Sequence, residues 1–533
     1  MLKAVHSGTF FGEHSPHGIP SDTDSPEIDL LLEKVHSLDS SSYPLQALKT
    51  ILLRENELIG AGRKTLDIIR AIDNDTVFVV CGQQAGLFGG PLYTLFKAMH
   101  AVRLASILSG RTGKKVIPVF WVAADDHDFQ EVNILGLRSG DGSKASVEYI
   151  PGNYREGMPV GEIILEDDIG NAIDTLADHC ISGEASAGYL DVLRSSWKPG
   201  VTWSDAFASQ LANMFSKHGL VLFNPRWDGI KKLFTDIINA ELSEPHASTK
   251  LINERADAFK TSGQRKKALR KPEGSTNLFF EIEGIRYPLR ADKEIYTAGE
   301  STFSREEMLD IVQSSPERFS PAAALRPVCQ DAVLPVAAII SGPGERLYLK
   351  QIETVYRLFN VERSIPWPRA SFTLIDRRTV RISEKEQISL KTLFMDVDGI
   401  RLELARKTFP EDFSRQLESF ETTIHSGFER LAEQIRSIDS TLTDSVRKEK
   451  SKVIHSMKKI RERAVRAHKA RHSITSNRLA SVSYFLMPDG GPQERWFGID
   501  AVLSLLDSGG FNELLNLTSP QEEFHRIVME EQS

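Results

Sequence analysis

Residues 77–101 read VFVVCGQQAGLFGGPLYTLFKAMHA. The β-branched and aromatic run at 77–80 follows the turn-forming Asp73-Asn74-Asp75 and predicts a buried strand. Residues 82–90 predict a glycine-rich loop, and Pro91 suits the first turn of a helix reaching about Leu108, closed by Ser109-Gly110 and Thr112-Gly113. VIPVFWV at 116–122 predicts a second buried strand. Strand, loop, helix and strand at this spacing make a βαβ unit, with a right-handed crossover and a parallel sheet.

The same punctuation recurs outward from there. Residues 220–223 precede the Asn224-Pro225 turn and a helix; residues 336–340 precede Ser341-Gly342-Pro343-Gly344 and a helix carrying Leu347 and Tyr348. Repeated units predict an α/β protein with an open, doubly wound, Rossmann-like sheet. Upstream, 28–72 has helical spacing at Leu48, Ile51, Leu52, Leu58 and Ile59, after an irregular stretch at 7–26. Residues 142–198 and 243–304 are less regular and read as insertions covering the sheet.

From 412 to 472 the pattern changes. Phe413, Leu417, Phe420, Ile424, Phe428, Leu431, Ile435, Ile438 and Leu442 define a seam in steps of three and four. Asp439-Ser440-Thr441 suggests an antiparallel helical hairpin, with one continuous rod as the alternative. Such a stripe wants a partner, so homodimerisation is expected. The basic run RKEKSKVIHSMKKIRERAVRAHKARH lacks aromatic residues for base stacking and reads as a solvated coiled-coil face, not a nucleic-acid surface. The division expected is a core at 1–376, a coiled coil at 377–480, and a closing segment at 481–533 that packs back on the core.

The chain has 533 residues, with 73 acids against 65 bases and a net charge of −8, which offers no general affinity for nucleic acid or anionic lipid. Cys81, Cys180 and Cys329 form no CxxC, which argues against a disulfide framework or a cysteine-rich zinc site and for a reducing compartment. No stretch reaches ~18 uninterrupted apolar residues. A cytoplasmic protein without a membrane anchor is expected.

Ligands of open parallel sheets sit outside the carboxyl ends of the strands, so the loops after strands carry the candidates. The first contains Gln83, Gln84, Gly86 and Gly90, with Tyr93, Thr94 and Lys97 on the helix that follows. The spacing matches neither dinucleotide nor P-loop fingerprints. Glutamine amides suit a small zwitterion or sugar hydroxyl, or else the loop's own backbone. The second loop, Ala124-Asp125-Asp126-His127-Asp128-Phe129, sets aspartates around an imidazole. His127 would contact substrate or move a proton while Asp126 or Asp128 holds an ammonium or hydroxyl; solvated turn and cap roles are the alternative, and no closed set of metal ligands is evident. Arg326 is a candidate carboxylate clamp, with Gln330 and Asp331 beside it before the 336–340 strand and Gly342, Gly344 and Glu345 after it.

GQQAGLFGGPLYTLFKA, FWVAADDHDFQEVN, LRPVCQDAVLP, GPGERLY, PRASFTLID and PQER occur here in an order that resembles the bacillithiol biosynthesis cysteine-adding enzyme family. The resemblance spans nearly the whole chain. It implies a nucleotidylyl-transferase-like Rossmann core, a dimerising coiled coil, and addition of cysteine to glucosaminyl malate. Its motifs cover Gly82, Gln83, Gln84, Gly86, Gly90, Pro91, Tyr93, Thr94 and Lys97, then Asp126, His127, Asp128 and Phe129. Gly89 departs from the threonine of many relatives, and Ala124-Asp125 from a Gly-Glu or Ser-Glu pair. Amide formation from a carboxylate requires activation, so ATP or another nucleotide is expected, with Ser371, Gln493 and Arg495 as a candidate nucleotide site. Gln493-Glu494-Arg495 could instead tie the closing segment to the core. The alternatives are a related ligase for another amino acid and amino sugar, or a metabolite-binding scaffold without catalysis.

Overall fold

The computed structural model describes residues 2–6, 27–138, 144–180, 184–261, 268–394, 411–471, 473–506, 509–519 and 525–530. The irregular stretch expected at 7–26 lies outside them. The chain forms two compact units: Met1–Arg138, Lys144–Arg377 and Gly491–Ser533 make the first, and Ser139–Ser143 with Arg378–Gly490 the second.

Five parallel strands form the heart of the first unit. In chain order they are Thr76–Gln83, Lys115–Val122, Val221–Phe223, Val336–Ser341 and Ile365–Pro368, and their spatial order is 3-2-1-4-5. Residues 77–81 are wholly buried, as expected of a parallel strand covered on both faces. The second strand shows both coverings: Phe120 packs on Phe207 of the Trp203–Met214 helix, while Trp121, pointing oppositely, stacks on its cross-strand neighbour Phe223 at 4.2 Å and on Phe234, outside the sheet, at 6.2 Å. The crossover helix, Leu92–Thr112, runs on past Ser109-Gly110 and stops at Gly113, whose left-handed φ of 73° lets its N–H reach the Ser109 carbonyl at 2.9 Å.

The order in which strands are added reverses around the first strand. The second and third strands lie on one side of it and the fourth and fifth on the other, so the switch point falls between Thr76–Gln83 and Val336–Ser341. In this architecture the crevice at that point is where ligands bind.

Two expectations need correction. The stretch 28–72 folds as helices Ile28–Ser37, Leu45–Leu58 and Arg63–Arg70; Leu48, Leu52 and Ile59 are buried, but Leu58 is 74% exposed, so the apolar stripe is narrower than its spacing suggests. The second insertion is not irregular. It builds an antiparallel sheet in the order Ser301–Ser304, Ile295–Ala298, Ile285–Asp292, Ser275–Ile282 and Phe319–Pro321. Its hairpin turns at Glu283-Gly284, with φ of 51° and 77°, the two consecutive left-handed residues of a type I′ turn.

A three-stranded sheet joins distant parts of the chain. Leu2–His6 pairs antiparallel with Arg526–Glu530, which pairs parallel with Phe372–Ile375.

In the second unit, helices Glu411–Ile438 and Thr443–Arg471 fold as an antiparallel hairpin, settling the choice between hairpin and rod. The turn is fixed by Asp439, whose carboxylate accepts from the Thr441 N–H at 2.9 Å and its hydroxyl at 2.7 Å. Lys450 reaches across to Glu429 and His425. Val446 and Met457 are buried, whereas Phe420, Leu431, Ile438, Leu442, Ile454 and Ile460 remain 40–80% exposed. No helix among the described residues is long and apolar enough to cross a membrane.

Candidate active site

The first glycine loop leaves the sheet at the switch point, and three side chains hold its backbone. The Trp203 indole donates to the Ala85 carbonyl at 2.6 Å; Gln210 and Tyr189 donate to the Phe88 carbonyl at 2.8 and 3.1 Å. Gly86 and Gly90 let the loop fold on itself, since a Cβ at Gly86 would lie 2.6 Å from the Gly90 Cα. At Gly89 φ is 95° and a Cβ would meet Gln210 Nε2 at 2.9 Å, so glycine suits this backbone.

The glutamine amides therefore do not hold the loop. Gln83 donates to the Tyr93 hydroxyl at 3.2 Å and accepts from Lys97 at 3.2 Å. Lys97, 3% exposed, also donates to the Gly82 carbonyl at 2.8 Å and forms an ion pair with Glu345 at 2.6 Å. Glu345 accepts in addition from the Gly342 N–H, which orients it at the start of the Pro343–Gln351 helix. The Lys97–Glu345 pair thus spans the switch point, joining the element after the first strand to the element after the fourth. Thr94 is buried beside Gly90 with its hydroxyl unpartnered.

Gln84 turns the other way and donates to Asp126 at 3.0 Å, so the two candidate loops meet. Asp126 also faces Arg326 at 3.7 Å and accepts from the His127 N–H at 2.9 Å. Burial by itself would raise the Asp126 pKa; Arg326, Arg286 and Gln84 outweigh it and hold the carboxyl below its usual value. His127 is half-buried, with Nδ1 2.9 Å from Arg286 Nη1, while Asp128 is exposed. Arg286 lies on the antiparallel insertion, 159 residues from His127, and no local pattern marked it.

Asp125, beside the site, is 4% exposed between Arg226 and Lys231. Burial opposes its charge, but the two cations prevail and hold its pKa near about 2. Arg226 also pairs with Glu162 at 2.6 Å and Glu281 at 3.0 Å. A cavity of about 420 Å³ opens on this network, and none of the residues expected to bind ligand lines it.

Several candidates lie elsewhere. Asp331 is buried against the Tyr356 hydroxyl at 3.0 Å and the Ser364 N–H at 2.9 Å, and Gln330 donates to Asp331. Burial raises the Asp331 pKa to about 6. Gly342 contributes through its N–H, whereas Gly344 has open space around it. Ser371 bonds to Glu494 at 2.9 Å and His525 at 2.8 Å, and Gln493 pairs with both backbone groups of Leu374 at 2.8 and 3.0 Å. With the buried Arg369–Glu494 ion pair, these bonds tie the closing segment to the core. Arg495 is exposed, within electrostatic range of Tyr93.

The parallel order 3-2-1-4-5, the polar cluster at its switch point and the separate helical hairpin define a Rossmann-like protein with an appended coiled coil. Residues 23–370 match the family described as Bacillithiol biosynthesis BshC, N-terminal Rossmann-like domain, and residues 372–530 match its C-terminal coiled-coil domain. The chain belongs to the bacillithiol biosynthesis BshC family. Among its relatives, the protein named "Putative cysteine ligase BshC" of Koribacter versatilis is 30% identical over 89% of this chain and 87% of its own. Those of Salinibacter ruber and Bacillus cereus, identically named, are 28% and 26% identical, covering 91% and 89% of this chain and 88% and 90% of theirs.

Proposed function

We propose that this protein is a cysteine ligase that forms an amide between the carboxyl of L-cysteine and the amine of glucosaminyl malate, the final step of bacillithiol-type thiol biosynthesis. The observation that carries this reading is the Gln84–Asp126 bond with Arg326 beside it, which places an amide, a carboxylate and a guanidinium together on the carboxyl rim of the sheet. Cysteine is a zwitterion of matching pattern. Its carboxylate would replace Asp126 as the partner of Arg326, and its ammonium would take the place of Arg326 beside Asp126. The sugar would lie toward Gln83, Tyr93, Lys97 and Glu345, where hydroxyl donors and acceptors alternate. Holding both reactants on one rigid sheet edge supplies proximity and orientation.

A nucleotide is the proposed activator of the carboxylate, as an acyl phosphate or acyl adenylate. Ser371 and Gln493 do not fit a nucleotide cradle in this arrangement, because both are buried and bonded within the protein. A homodimer through the hairpin, a cytoplasmic setting and the absence of nucleic-acid partners complete the proposal.

The test is incubation of the purified chain with cysteine, glucosaminyl malate and ATP, followed by mass spectrometry of thiols and nucleotides. Expected are the condensed thiol and one nucleotide product, ADP or AMP, in equal amounts. Gln84→Ala should lower the rate by on the order of 10²-fold, as loss of a substrate-orienting donor does, and change stability by no more than about 1 kcal/mol. An unchanged thiol pool in cells lacking the gene would count against the ligase and favour the scaffold.

A further inference from the structure

We propose that Arg286 is a positioning residue that fixes the His127 imidazole in the neutral Nε2–H tautomer, so that His127 acts as a hydrogen-bond donor to a substrate oxygen and not as a base. The geometry carries this. Arg286 is 5% exposed and held at three other points: Nε donates to the Ser320 hydroxyl at 2.8 Å, Nη2 to the Pro321 carbonyl at 3.3 Å, and the guanidinium lies 3.6 Å over the Phe279 ring. Its remaining nitrogen, Nη1, is 2.9 Å from His127 Nδ1. Phe279 also packs against the imidazole, with ring centroids 5.5 Å apart, so both partners touch one aromatic ring.

A guanidinium has donors only. The Nδ1 atom facing it must accept, which places the proton of the neutral ring on Nε2. An imidazolium has no acceptor, so this hydrogen bond exists for the neutral ring alone. Burial lowers the Arg286 pKa to about 10, with Asp125 and Asp126 opposing that fall, so the group keeps its charge at neutral pH. Nε2 bonds to none of the described residues, and the ring is half-buried at the loop where Gln84 and Asp126 meet. A donor so placed suits a carbonyl, carboxylate or phosphoryl oxygen whose charge grows during reaction. If the ligase reading holds, that oxygen is on the cysteine carboxyl undergoing acyl transfer, and the imidazole polarises it without giving up its proton.

The test uses the full chain labelled with [15N]histidine, with the His127 signals assigned by their loss in His127→Gln. At neutral pH the wild type should show an unprotonated Nδ1 and a protonated Nε2. Arg286→Gln, which keeps an amide donor, should preserve that pattern, whereas Arg286→Met should convert it to a mixture of tautomers. In the ligase assay Arg286→Met should lower kcat by at least ~10-fold while KM for cysteine changes little, and Arg286→Gln should recover part of the loss. A wild-type His127 found as the Nδ1–H tautomer or as imidazolium overturns the inference, and so does an unchanged tautomer in a folded Arg286→Met. The wild-type spectrum does not depend on any variant folding. Failure of the ligase assay with the expected spectrum removes the acyl-transfer reading and leaves the tautomer assignment in place.

Discussion

Asp500 is a buried acid outside the site whose titration should shape the pH response of the fold. It is 7% exposed, one carboxylate oxygen has no partner, and burial raises its pKa to about 7. Its folded pKa therefore lies above the unfolded value near 3.8. The stability it supports is fully present below about pH 4 and is lost as pH rises toward about 7. Asp500→Asn should remove that share of the slope, on the order of 2–4 kcal/mol between pH 4 and 8, read from denaturant melts across pH. A slope identical to the wild type would place the titration elsewhere, with Glu241, also raised to about 7 by burial, next in line. At this scale the loops after strands marked Gln84 and Asp126, and Arg326, read as a carboxylate clamp ahead of the 336–340 strand, converges with them. The sequence misled where one short helix offered several polar residues, because Arg326 reaches Asp126 while Asp331, on the same helix, faces Tyr356 and Ser364. Arg286 was illegible because its partner is supplied only by tertiary folding.

Among the elements, the glycine loop and the hairpin make separable predictions. Gly86→Ala forces backbone against backbone at 2.6 Å and should cost about 1–3 kcal/mol. Gly110→Ala, in the last turn of the crossover helix with nothing within 4 Å, should gain up to about 1 kcal/mol. Thermal melts of the pair separate packing from helix propensity, and equal shifts would refute the distinction. In the hairpin, Leu431 is 44% and Ile438 80% exposed, so Leu431→Glu with Ile438→Glu should halve the mass seen by light scattering if the proposed dimer forms there. A dimer that survives both changes would exclude that face. The hairpin break was legible in Asp439-Ser440-Thr441 because an aspartate that caps a turn is a local signal. The antiparallel sheet was missed because its turn is Glu-Gly, a weaker hairpin cue than Asn-Gly or Asp-Gly.

For the whole molecule, parallel pairing and the Rossmann-like class followed from repeated strand, loop and helix punctuation. The order 3-2-1-4-5 did not, since it depends on which distant strands become neighbours. The most distant pairing is in the three-stranded sheet, where Leu2 lies opposite Glu530 and the central strand is Arg526–Glu530. On the ribosome, residues 2–6 and 372–375 emerge long before residues 526–530, so each waits with an open edge through much of translation. Premature termination ahead of residue 526 would leave both edges uncovered on the nascent product, where quality-control proteases and chaperones could recognise them.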